Sequence, residues 1–168
     1  MENNNFVKYM GKRFNVYFDD LEDIIERCPD EIWNKKCSGY TFWHQLVHTI
    51  CTNYLWLRDE KVNFFDAIDK GINGLSIYNE LDAKPEEVTK ELYTKSDLLK
   101  MCTVTKYQCE TWFKDKNNEW LSETFKMSDK YTNLDVTIMM MEHTMYHIGH
   151  FEAIFRENNI KTKKYLDG

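Results

Sequence analysis

Apolar residues recur every three or four positions through four long stretches of this chain, and neither of its two prolines falls inside them. That period is the repeat of one helix face, and an interior proline would break it. From Asn5 to Arg27 the series Phe6, Tyr9, Met10, Phe14, Tyr17, Phe18, Leu21, Ile24 and Ile25 keeps the period until Pro29 stops it. Cys28 to Tyr40 reads as a connection with Ser38-Gly39 as its turn. A second helix is expected from Thr41 to about Glu60, carrying Phe42, Leu46, Val47, Ile50, Tyr54, Leu55 and Leu57.

Lys61 to Thr94 is broken by Gly71, Asn73 and Gly74, and Pro85-Glu86-Glu87 suggests the first turn of a short helix there. Ser96-Asp97 reads as a cap for a third helix running to about Asp115, with Leu98, Leu99, Cys102, Tyr107 and Trp112 among its apolar positions. Glu119 to Lys130 reads as a loop. Thr132-Asn133-Leu134-Asp135 then caps a last helix that continues to about Asn158. No stretch alternates with period two between turns, so no strand is expected. The expected fold is all-α: a four-helix bundle, with a long connection between the second and third helices, formed by residues 1–168 as one domain.

Composition removes several function classes. The formal net charge is −6, the opposite of the basic face that a general nucleic-acid binder needs to displace counterions. The start, Met1 to Asn5, has neither a basic nor an apolar segment, so no signal peptide is expected. The aliphatic run Val136 to Met141 is far too short to span a bilayer. Five cysteines, an odd number without C-x-x-C spacing, fit reduced thiols in a cytoplasm. No membrane or nucleic-acid partner is therefore expected.

The five histidines are confined to two windows, Trp43-His44-Gln45-Leu46-Val47-His48 and His143-Thr144-Met145-Tyr146-His147-Ile148-Gly149-His150. Each contains H-x-x-x-H on an expected helix, and side chains one turn apart face the same way with Cβ atoms roughly 6 Å apart. On the last helix Val136, Met139, Met140, His143, His147, His150 and Ile154 form one stripe, whose apolar members turn it inward. Burial favours the neutral, metal-binding form of imidazole. A single histidine on an apolar helix face is commonly a core residue bonded to a carbonyl. Two such pairs, with no histidine elsewhere, point to a metal site.

Absences narrow its type. Carboxylate-bridged two-metal bundles use Glu-x-x-His, but Thr41, Gln45, Met140, Thr144 and His147 stand three before the histidines. The H-E-x-x-H pattern of zinc proteases is missing as well, since Thr144 and Ile148 follow His143 and His147. A mononuclear site of three imidazoles with an open position fits better. Gly149, inside the last helix, costs about 1 kcal/mol against alanine, which suggests close packing or ligand access at that point.

At these residues the chain resembles the DinB-like superfamily of metal-binding four-helix bundles, which includes bacillithiol- and mycothiol-dependent S-transferases. The resemblance rests on Trp43 to His48, on His143-x-x-x-His147-x-Gly149 followed by Phe155-Arg156, and on the connection Cys28-Pro29-Asp30-Glu31-Ile32-Trp33. It implies His48, His143 and His147 as ligands of one divalent transition metal, nickel or zinc most often. It also implies homodimers, a cytoplasmic location and a small-molecule substrate. The activity implied is a metal-dependent enzyme that activates a low-molecular-weight thiol against an electrophile. The alternatives are a hydrolase using metal-bound water and a non-catalytic, stress-related metal-binding protein. The chain departs from the family pattern at Ile148, where Arg is common, and at His150, where Gln or Asn is common.

Other residues carry smaller expectations. His44 and His150 are candidates for a fourth ligand, an outer position or the core, and Cys51 lies on nearly the same face as His48. Trp43, Tyr54 and Trp56 either line a pocket or pack, and Cys102 and Cys109 read as core. Lys161 to Lys164 reads as a solvated basic tail.

Overall fold

A computed structural model describes residues 5–37, 39–60 and 93–163. The chain is mostly helical. Five helices are described: α1 (Asn5–Arg27), α2 (Asp30–Trp33), α3 (Phe42–Trp56), α4 (Lys95–Phe113) and α5 (Asn133–Glu157). A 3-10 turn spans Glu119–Ser122. Among the described residues the only paired strands are β1 (Lys36–Cys37) and β2 (Tyr40–Thr41), antiparallel with Lys36 opposite Thr41. The expected long connection, with its Pro85 helix turn, lies almost wholly outside the described residues.

α1 begins and ends where its apolar period does. Phe14, Phe18, Leu21 and Ile25 are fully buried along one face, each contributing roughly 1.5–3 kcal/mol by leaving water. Pro29 ends the run, and Arg27 in the last turn suits the negative end of the helix dipole. The connection after it is more ordered than expected, because α2 and the small hairpin occupy it. Two residues per strand are too few to show alternation, so the period-two test passed over them. Gly39, at φ 93°, supplies the left-handed turn conformation between the strands.

α3 differs from the other helices in being buried almost all round, with twelve of its fifteen residues inaccessible. It starts at Phe42 and stops at Trp56, four residues short of the expected end. α4 begins at Lys95, with Thr94 rather than Ser96 as its cap. The Asp97 amide donates to Thr94 Oγ1 at 3.2 Å, while the Thr94 amide donates to the Asp97 carboxylate at 3.0 Å. Thr132 and Asp135 form the same reciprocal pair at the start of α5, at 3.1 and 2.8 Å. These boxes satisfy amides that have no partner inside the helix, and the threonine hydroxyls hold both carboxyls below their ordinary pKa.

α1 and α3 each pack on both α4 and α5. Phe42 of α3 stacks on Phe155 of α5 at 5.5 Å and tilts against Phe151 at 5.0 Å. Trp112 meets Trp120 edge-on at 4.8 Å beneath the 3-10 turn. One expected placement fails: Tyr107 is 71% exposed, because it lies on the outer side of α4. Lys161 and Lys163 are exposed, as expected of a solvated tail, but Lys163 also pairs with buried Asp20, and its amide donates to Glu152 Oε2 at 3.3 Å. Arg27 donates to the same Glu152 at 2.5 Å and to the Lys161 carbonyl at 2.7 Å, so the end of the described chain lies against α1. Lys164 lies outside the described residues.

No helix among the described residues is long and apolar enough to cross a membrane.

Candidate metal centre

The contact between α3 and α5 carries the histidines. His48 projects from α3, and His143 and His147 from successive turns of α5. One ring nitrogen from each lies within 4.8 Å of the other two. His48 Nε2 and His143 Nε2 are 3.0 Å apart. The ring centroids form a compact triangle, with 4.6 Å between His143 and His147 and 5.1 Å from His48 to each.

His147 is buried at 7% exposure, while His48 and His143 are half-buried. Burial first, and then the neighbouring His48, lower the pKa of His143 from 6.5 to about 4. His147 falls to about 3, again first through burial and then through His143, His48 and His150. Both rings are therefore neutral at pH 7, each with one lone pair available. A protonated ring here would face other imidazoles and no carboxylate in the set.

The donor set fits a transition metal. Two imidazole nitrogens bound at about 2.0–2.1 Å to one ion stand roughly 3 Å apart when they subtend a right angle, which matches the His48–His143 pair. Tetrahedral sites space such nitrogens about 3.3–3.4 Å apart, so the three rings, with nitrogens within 4.8 Å of one another, would close toward that spacing to share an ion. Among the described residues His143 Nδ1 and His147 Nδ1 are buried with no hydrogen-bond partner, and the contacts that orient the two rings are packing contacts with His48, with each other and with Phe151.

The remaining candidates fall outside the set. His44 is fully buried between Trp43, stacked at 5.4 Å, and Tyr40, edge-on at 6.0 Å. His150 is half-buried and reaches His147 only as a nearby charge. Cys51 is fully buried, with its thiol pushed far up by desolvation. Cys102 and Cys109 lie in the core as expected. Trp43 and Tyr54 are buried packing residues, and Trp56 stacks on Phe125 at 6.1 Å.

Gly149 does not serve close packing. A Cβ built there meets no described heavy atom within 4 Å, and the position is exposed. Gly149→Ala is accordingly expected to stabilise the protein by up to about 1 kcal/mol through helix propensity. Thermal unfolding checks this: Tm should rise by roughly 2–4 °C, whereas a fall would show a contact at this face that alanine disturbs.

A cavity of about 730 Å³ lies between α1 and α4, lined by Lys8, Lys12, Tyr107, Glu110 and Lys114 among others. Neither of those helices carries a histidine of the set.

Residue-by-residue reading missed a buried polar ladder beside the histidines. Gln45, Thr49 and Asn53 repeat every fourth residue along α3, and Asn53 reaches Thr144 on α5. The available signal was the spacing of polar residues inside an otherwise apolar helix. No protein-family model, curated protein or solved structure matches the chain.

Proposed function

We propose that this chain is a four-helix bundle of the DinB-like type, in which His48, His143 and His147 hold one divalent transition metal, nickel or zinc. The observation that carries the reading is the convergence of three ring nitrogens from two helices within 4.8 Å. When bound, the ion would supply Lewis acidity that lowers the pKa of a coordinated thiol or water.

The chemistry proposed is thiol transfer to a small electrophile. The set contains three imidazoles, and neither His143 nor His147 is followed by the glutamate that H-E-x-x-H proteases use as a general base on water. A thiol needs far less help, since its ordinary pKa is about 8.5 against roughly 15.7 for water. The chain's own thiols are poor candidates. Burial raises all five, Cys28 to about 12 and Cys37 more modestly. An external low-molecular-weight thiol is therefore the proposed nucleophile, and a cytoplasm would keep it and the five free cysteines reduced.

The test offers a chlorinated nitroarene together with bacillithiol, glutathione or cysteine to protein loaded with nickel or zinc. Metal-dependent thioether formation with at least one thiol is expected, lost on chelation. No turnover across the panel by a protein that binds one equivalent of metal would reject the transferase and favour a binding role.

A further inference from the structure

Apolar burial by itself is non-directional, and close packing such as that of Phe42 on Phe151 and Phe155 admits repacking with small changes of helix height and rotation more readily than hydrogen bonds do. A metal set shared between them tolerates no such freedom, since one helical turn is about 5.4 Å. Something must hold α3 and α5 in register.

Asn53 and Thr144 are both fully buried, and they join these two helices. Asn53 Nδ2 donates to Thr144 Oγ1 at 2.9 Å and to the Thr49 carbonyl of its own helix at 2.9 Å. Thr144 Oγ1 donates to the Met140 carbonyl at 2.7 Å and lies 3.2 Å from Asn53 Oδ1. Behind Asn53 the ladder continues. Thr49 Oγ1 donates to the Gln45 carbonyl at 2.8 Å, and Gln45 Nε2 donates to the Cys37 carbonyl at 2.9 Å. The series runs from β1 along one flank of α3 to the turn of α5 that carries His143. Thr144 is the next residue after His143, and Asn53 lies just over one turn beyond His48.

We propose that Asn53 and Thr144 are positioning residues that fix the height and rotation of α3 against α5, so that His48 meets His143 and His147. Any slip between the helices strands buried donors and acceptors without partners. Directional polar contacts in apolar helix interfaces are a known means of specifying register. The register claim stands on hydrogen bonds alone; only its consequence for the metal rests on the proposed function.

The test uses the double variant Asn53→Leu/Thr144→Val, which removes both partners while keeping similar shapes. Such paired apolar replacement can be nearly neutral for stability, so Tm should stay close to that of the parent. In a metal-free crystal structure the His48 Nε2–His143 Nε2 separation, 3.0 Å in the parent, should lengthen beyond hydrogen-bond reach. Cobalt(II) titration of the same variant should show a roughly 10–100-fold loss of affinity and an altered ligand-field spectrum. Thr144→Ser, which keeps the hydroxyl, should leave both readouts unchanged; if the double variant does not fold, Thr144→Val is compared with it instead. A histidine pair that stays within hydrogen-bond distance, or an unchanged cobalt affinity, overturns the proposal. If the parent itself binds no cobalt, the metal reading fails and the crystallographic distance alone decides the register.

Discussion

His147→Ala is expected to reduce divalent-metal affinity by two to three orders of magnitude. Structural zinc sites bind with apparent free energies of roughly 10–16 kcal/mol over four ligands, or about 2.5–4 kcal/mol for each. One ligand lost from a set of three removes at least that share. His147 is also the most buried of the three and the one whose ring packs at 6.3 Å on Phe151 in the core, so no water reaches its place easily. The measurement is metal content after reloading and dialysis, followed by competition against a chromophoric chelator. His44→Ala is the control. His44 is buried but stands apart from the set, against Trp43 and Tyr40, so its loss should leave the affinity within a few-fold of the parent. Equal losses from the two substitutions would mean that the triad is wrongly chosen. Less than a tenth of an equivalent of metal on the parent would remove the site altogether.

The two helix windows rich in histidine were legible because the helical period turns spacing into direction. His143 and His147 share a face by arithmetic, and the structure places both at the α3–α5 contact. That His48 rather than His44 joins them did not follow from spacing, since both lie on one face of α3. The resemblance chose His48. In the structure His44, one turn nearer the start of α3, lies against Tyr40 of the hairpin, an element too short to leave a pattern. Gly149 was misjudged in part for a similar reason. Its cost to helix propensity is visible in the sequence, but whether it opens onto a neighbour depends on tertiary packing. The Thr94 cap was displaced by two residues because Ser96-Asp97 offers the same chemistry as Thr94 with Asp97. Only the backbone shows which hydroxyl receives the Asp97 amide. The ion pair between Lys163 and Asp20 joins residues 143 positions apart, a distance over which a single sequence carries no pattern.

The metal-free protein should lose stability as pH falls from 7 to 5. His143 and His147 have folded-state pKa values of about 4 and about 3, below the ordinary 6.5. Over this interval the unfolded chain takes up protons at both positions while the folded chain takes up almost none. The unfolded state therefore binds more protons, and the free energy of unfolding rises with pH. The contribution is fully present above about 6.5 and is lost as pH falls toward 4; below about 3 the folded rings are protonated as well and the dependence flattens. By linkage each histidine accounts for about 2 kcal/mol between pH 7 and pH 5, or roughly 3–4 kcal/mol for the pair before their mutual coupling is allowed for. Urea unfolding at pH 7, 6 and 5 in the presence of a chelator measures it. The double variant His143→Gln/His147→Gln should show a clearly shallower slope over the same range, because glutamine does not titrate and the contribution of these two positions is gone. Equal slopes for parent and variant would place the acid sensitivity elsewhere. Added metal should leave the parent's slope between pH 7 and 5 almost unchanged, because the nitrogens of His143 and His147 are already free of protons there, and should extend the loss of stability below about pH 4, where protons compete with the ion for the same lone pairs.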